Sequence, residues 1–195
     1  MAQYTPSSGD YCRPYRSPWG AFPTRQFPTL STQTAQVFQG TVMTLGTVLS
    51  SAANVVIPST TVGTPPNLIV GVLAERIPAF TSSAVTPPTV MVWEANPNVE
   101  FVAVSRGGAQ ASSIVGLRKS LSWDSTLNVV MIDLTASTAA DWRVILTQAT
   151  APVGNNGAAA LGDSGGYVAF RFIGHLAGQT NSTIESSTPT LAFYS

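Results

Sequence analysis

The hydrophobic and polar positions of this chain fall into short runs with a period near two, separated by glycine, proline and asparagine. From Ala35 onward this is the pattern of β-strands rather than helices. Val37 to Leu45 is β-branched and aromatic, with bends expected at Gly40 and Gly46. Asn54 to Ile57 reads as a short strand stopped by Pro58. Leu68 to Ala74 is a continuous apolar run between Pro65-Pro66 and Pro78, too short for a helix, and predicts a buried strand. Thr89 to Val104 predicts a hairpin with Asn96-Pro97-Asn98 at its apex, Trp93 facing Phe101 and Met91 facing Ala103. Further strands are predicted at Ile114–Leu117, Asn128–Leu134, Trp142–Thr147, Tyr167–Ile173 and Thr190–Tyr194, with loops at 105–112 and 151–166 and one helical turn at Thr138–Asp141. Nine or ten short strands with turns between them predict an all-β fold, a single β-sandwich or β-barrel domain over residues 35–195.

Residues 1–34 have a different texture. Pro6, Pro14, Pro18, Pro23 and Pro28 alternate with Tyr4, Tyr11, Tyr15, Trp19, Phe22 and Phe27, and Arg13, Arg16 and Arg25 supply positive charge. Proline at this density prevents a regular helix and removes backbone donors. Disordered linkers are poor in aromatics, so this segment is expected to be an extended N-terminal arm lying in a groove of another molecule. The residues expected to anchor it are Tyr11, Arg13, Tyr15, Arg16, Trp19, Phe22, Arg25 and Phe27, since Tyr, Trp and Arg dominate interface energetics. The alternative is an arm folded back over its own domain.

Composition narrows the function. Only 9% of residues are charged and the formal net charge is zero, against roughly 25% charged in ordinary soluble domains. A surface so poor in charge suits a molecule packed in an assembly, and it offers no global field for nucleic acid or an anionic membrane. There is no apolar run long enough to span a membrane as a helix and no pattern of a secretory leader at the N-terminus, so folding in a reducing cytoplasm is expected. The one cysteine, Cys12, has no partner for an intramolecular disulfide.

Candidate chemistry is sparse. Gly162-Asp163-Ser164-Gly165-Gly166 matches the nucleophile motif of chymotrypsin-like serine proteases. That mechanism needs a base within hydrogen-bond reach, and the only histidine, His175, follows Ser164 along an expected strand, which places it about 25–35 Å away. A glycine-rich turn with Asp163 or Ser164 capping backbone donors is the preferred reading, and no catalytic residue is assigned. Lys119, the only lysine, has no Ser-x-x-Lys neighbour pattern. Glu94 and Glu100 flank the Asn96-Pro97-Asn98 turn and could face each other, sharing a proton or resembling a glycosidase pair; a hairpin tip open to water, or met by arginines of a partner, is the preferred reading. His175 has no metal-ligating company in the sequence, so neither a metal nor a cofactor is expected.

Gly71-Val72-Leu73-Ala74, followed about fifteen residues later by Val90-Met91-Val92-Trp93, resembles the head-stabilising decoration proteins of lambdoid phages, which carry a Gly-Ile-Leu-Ala strand before a strand pair ending near an aromatic. The texture of residues 35–175 is similar to uncharacterised virion proteins of marine tailed phages. It includes Val92-Trp93-Glu94-Ala95-Asn96, Trp123-Asp124-Ser125-Thr126-Leu127-Asn128 and Gly162-Asp163-Ser164-Gly165-Gly166-Tyr167-Val168. The resemblance implies a capsid decoration, or cement, protein made in the host cytoplasm. Such a protein binds the major capsid protein on the outside of the virion, commonly as a homotrimer at local three-fold axes, with no direct nucleic-acid or membrane contact. The lambdoid proteins add a strand to the shell through their N-terminus. The prolines here are expected to interrupt such a strand, leaving a clamp of aromatic anchors. Two other functions fit the residues less well. One is a receptor- or glycan-binding head of a tail or fibre protein, with the Trp123-Asp124-Ser125 loop as sugar platform. The other is an unconventional hydrolase using Ser164.

Overall fold

A computed structural model describes residues 11–28, 32–33, 36–46, 55–58, 69–78, 80–81, 89–124, 126–135, 144–151, 160–163 and 165–173. The expected strand at Thr190–Tyr194, the helical turn at Thr138–Asp141, and the side chains of Trp142, Ser164 and His175 lie outside them. The described strands are, in chain order, β1 (Arg13–Arg16), β2 (Thr24–Pro28), β3 (Thr32–Gln33), β4 (Val42–Gly46), β5 (Val55–Pro58), β6 (Ile69–Leu73), β7 (Phe80–Thr81), β8 (Thr89–Glu94), β9 (Glu100–Arg106), β10 (Arg118–Asp124), β11 (Val129–Asp133), β12 (Val144–Gln148) and β13 (Tyr167–Phe172). The fold is all-β.

The C-terminal strands close a five-stranded barrel in the order β9-β11-β10-β12-β13, with β13 returning to β9. Strand direction must come back to itself around a closed ring, so the number of antiparallel pairs must be even. Five strands therefore require a parallel pair, and it is β9 with β11, in the register Met131↔Val104, Ile132↔Ser105, Asp133↔Arg106. The other four pairings are antiparallel. Alternate residues fill the barrel: Phe101 and Ala103 from β9, Leu121 from β10, Val130 and Ile132 from β11, Val144 and Leu146 from β12, and Val168, Phe170 and Phe172 from β13. Phe101, Phe170 and Phe172 meet at its centre, with ring centroids 5.0, 5.4 and 6.1 Å apart. Burying each ring stabilises the barrel by roughly 1.5–3 kcal/mol.

A second, antiparallel sheet runs β2-β8-β6-β4-β5, and β3 pairs with β7. The two larger sheets share a core. Val42 of β4 and Ile69 and Val72 of β6 belong to the same buried cluster as the barrel interior. Met43, Val70, Leu73, Val90 and Val92 form a separate cluster with Val37 and Ile77. In a regular strand Ile69 and Val72 would face opposite ways. A register shift between Met43 and Thr44 puts one extra residue into β6 opposite β4, which turns both toward the barrel. Within the apolar run expected to be a buried strand, Ile69–Leu73 is a strand buried on both faces, as its composition predicts.

Two expectations about local structure are corrected. Thr89–Val104 is not a hairpin. β8 pairs with β2 and β6, while β9 pairs with β1, β11 and β13, so neither has a free edge for the other. Asn96-Pro97-Asn98 is a real turn, closed by Val99 N–H to Asn96 O (2.9 Å) and Asn98 N–H to Asn96 Oδ1 (2.9 Å), but it passes the chain from one sheet to the other. Ile114–Leu117 is not a strand: Ser112–Ile114 is a 3-10 turn, and Gly116 takes φ +83° before β10 begins at Arg118. The bend expected at Gly40 is present, with φ +84°: Val37 before it makes an isolated bridge to Ile77, and β4 starts after it at Val42.

Candidate docking site

The boundary at residue 34 does not separate an arm from a domain over the described residues. β1 is an edge strand on β9 (Arg13↔Val102, Pro14↔Phe101, Arg16↔Glu100), and β2 is an edge strand on β8 (Thr24↔Trp93 through Pro28↔Thr89). The prolines do not prevent this pairing, because an edge strand needs only one side of its backbone for the ladder. Pro14 and Pro28 both sit in edge strands, and the register slips between Pro14 and Arg16. Residues 11–28 therefore form a strap that starts on the barrel, leaves it, and finishes on the second sheet.

The strap is anchored at its start by Cys12, which is fully buried in the barrel cluster. Burial pushes its thiol well above the ordinary range, against a smaller opposing effect of the Arg13 charge. Gly40 lies directly beneath: a Cβ there would come within 2.6 Å of Tyr11 Cβ and 2.9 Å of the Cys12 nitrogen. The Arg13 guanidinium carbon lies 5.4 Å from the Tyr11 ring centroid and 5.8 Å from that of Tyr167. Tyr15 packs on Val102, Val104, Ala151, Tyr167 and Ala169, and Phe27 packs on the second sheet's own cluster. Of the eight residues expected to bind a partner, Tyr11, Arg13, Tyr15 and Phe27 are thus used largely within the molecule.

The rest lie on or beside the crossing between β1 and β2, Arg16 at the end of β1, Trp19 and Phe22 in the connection, and Arg25 in β2. Ser17-Pro18-Trp19-Gly20 is a tight turn, with Gly20 N–H to Ser17 O (3.3 Å), Trp19 N–H to Ser17 Oγ (3.3 Å) and Gly20 at φ +73°. Pro18 follows the turn's first residue and glycine accepts the positive φ, so the sequence specifies this shape. It presents Trp19 at 57% exposure and Phe22 at 37%. Arg16 precedes the turn, exposed, with its guanidinium carbon 4.8 Å from the Tyr15 ring centroid. Arg25 follows, its Nε 2.8 Å from Glu94 Oε1 and its guanidinium carbon 5.9 Å from the Phe27 ring. The sequence reading missed Met91, which is exposed on β8 opposite Gln26 of the strap. The alternation Val90-Met91-Val92, with only the valines buried, carried that signal.

The other candidates that lie among the described residues occupy structural positions. Glu94 and Glu100 do not face each other; Glu100 is buried and meets Arg171 Nη2 at 3.2 Å. Trp123 is no open platform: it is partly buried against the barrel cluster, and Asp124 Oδ1 accepts the Thr126 and Leu127 N–H groups, both at 2.9 Å. Around the Gly162–Gly166 motif, Asp163 Oδ2 accepts the Ala160 N–H (3.0 Å), Asp163 O accepts the Gln110 N–H (2.9 Å), and Gly166 O accepts from Ser105 N–H (2.8 Å). Gly162, Gly165 and Gly166 all have positive φ. The described part of the motif is a turn clamped to the start of β13. Lys119 is buried, with Nζ 2.5 Å from Leu134 O. Among the described residues no group of three or more His, Cys, Asp or Glu side chains is placed to hold a metal. Comparison with protein-family models, curated proteins and solved structures returns no match.

Proposed function

We propose that this protein is a structural virion protein that binds the outer surface of an icosahedral phage capsid and cements neighbouring major capsid subunits. The observation that carries the reading is the Trp19–Phe22 turn, an apolar projection mounted on a strap whose two ends are hydrogen-bonded into different sheets. Burying the two rings in a partner would contribute roughly 1.5–3 kcal/mol each, enough to act as the centre of an interface. Load applied at the turn would pass into the barrel through β1 and into the second sheet through β2, which suits a mechanical role. The low charge density supports a life in an assembly, and the resemblance of the Gly71–Ala74 and Val90–Trp93 strands to decoration proteins supplies the capsid. Self-association as a trimer follows from the same resemblance.

Co-sedimentation with expanded shells of the same virion that lack this protein tests the proposal. Saturable binding at a fixed ratio to the major capsid protein is expected, and that ratio reports the symmetry position. A folded protein that stays in the supernatant at all shell concentrations would refute it.

A further inference from the structure

We infer that the Trp19–Phe22 turn recognises an apolar pocket rimmed by carboxylates on its protein partner. This rests on the docking role proposed above and adds the chemistry of the surface that fits. The segment from Tyr11 to Pro28 carries Arg13, Arg16 and Arg25 and no acidic residue. Two of these arginines bracket the projection: Arg16 immediately before the turn, Arg25 three residues after Phe22. Each guanidinium lies over an aromatic ring of the same strap, Tyr15 for Arg16 and Phe27 for Arg25. Arg16 Nη2 also donates to Tyr15 Oη (3.4 Å) and Arg25 Nε lies on Glu94, which fixes each guanidinium while its remaining N–H groups stay available for a carboxylate. The side chain of Arg25 is 66% exposed even with Nε on Glu94. The result is an apolar segment flanked along the strap by two oriented guanidiniums, that of Arg25 already sharing one N–H with Glu94, and its complement is an apolar pocket between carboxylates. A nucleic-acid strand is the weaker match. Three arginines make a thin phosphate footprint, and Arg13 is turned onto the molecule's own Tyr11 and Tyr167.

Two measurements on the full chain test this. The first needs no partner. The emission of Trp19, taken as the difference between wild type and Trp19→Phe, is quenched with iodide and with caesium. A cationic tip concentrates iodide, so the ratio of iodide to caesium quenching is expected to exceed that of the neutral free indole N-acetyltryptophanamide and to fall toward it in Arg16→Gln/Arg25→Gln. A wild-type ratio equal to or below that of the free indole would overturn the inference. The second is shell co-sedimentation at about 0.15 M salt, where the Gln pair is expected to weaken binding about tenfold, as for two exposed ion pairs. Arg16→Lys/Arg25→Lys, which keeps the charge, should bind closer to wild type, and thermal midpoints should be shared by all variants. Binding of the Gln pair equal to wild type would overturn the inference while leaving the shell reading intact. So would displacement of wild type from shells by a single-stranded oligonucleotide. Failure of wild type to bind shells would remove the shell reading instead, and the quenching result would still support or overturn the cationic tip.

Discussion

At the scale of single residues, the fold depends on a few positions where backbone passes close to backbone. Gly40 combines a positive φ with the Tyr11–Cys12 segment lying against its Cα. Gly40→Ala should therefore destabilise by about 1–3 kcal/mol, read as a lower denaturation midpoint. Gly71 has ordinary strand geometry, but a Cβ there would overlap the Trp93 carbonyl oxygen of β8, so Gly71→Ala should open the β6–β8 ladder and also lower the midpoint. Neither effect is visible in sequence, where a glycine in a strand signals only that something is near. Cys12 gives a pH test. Its folded thiol keeps its proton to higher pH than an ordinary thiol, so its contribution to stability is complete at neutral pH. That contribution falls once the unfolded thiol ionises, above about pH 8.5, by about 1.4 kcal/mol per pH unit. The stability difference between wild type and Cys12→Ala should be flat below that pH and shrink above it. A disulfide reagent should label the native thiol only as fast as the strap opens.

At the scale of elements, the alternation of the chain identifies β-strands but not their partners. Phe101–Val104 is apolar on both faces because β9 turns Phe101 and Ala103 into the barrel and Val102 and Val104 under Tyr15 and Ala151. Doubly apolar β9 and half-exposed β8 belong to different sheets, yet the turn between them has the residues of a hairpin apex. The turn residues fix a reversal, and whether the strands then pair depends on which edges other segments have occupied. The same limit explains the strap. Its prolines and aromatics were legible as extended, aromatic-anchored chain, and edge pairing is decided by the tertiary structure. Of the eight residues expected to anchor a partner, all lie on the strap, and Trp19, Phe22, Arg16 and Arg25 are the ones it displays to solvent. Trp19→Ala/Phe22→Ala should accordingly leave the denaturation midpoint within about 0.5 kcal/mol of wild type, as exposed substitutions do, while abolishing shell binding.

At the scale of the whole molecule, the barrel and the second sheet share one buried cluster and are tied by the strap, so they should unfold together. Phe170→Ala, at the centre of the barrel, should cost about 3–5 kcal/mol. Fluorescence of Trp93, on the second sheet, and of Trp123, on the barrel, should report the same shifted midpoint, with one transition for both. Two separated transitions would mean that the sheets are independent. A shared core makes the strap a rigid mount, and the proposed function needs that rigidity if the turn is to carry load between capsid subunits.

The most direct test of that account is hydroxyl-radical footprinting of the protein free and bound to expanded shells. Trp19 and Phe22 should be oxidised in the free protein and protected in the bound one, with the exposed Leu161 oxidised equally in both. Unchanged oxidation of Trp19 and Phe22 on shells that carry the protein at saturation would contradict docking through the strap.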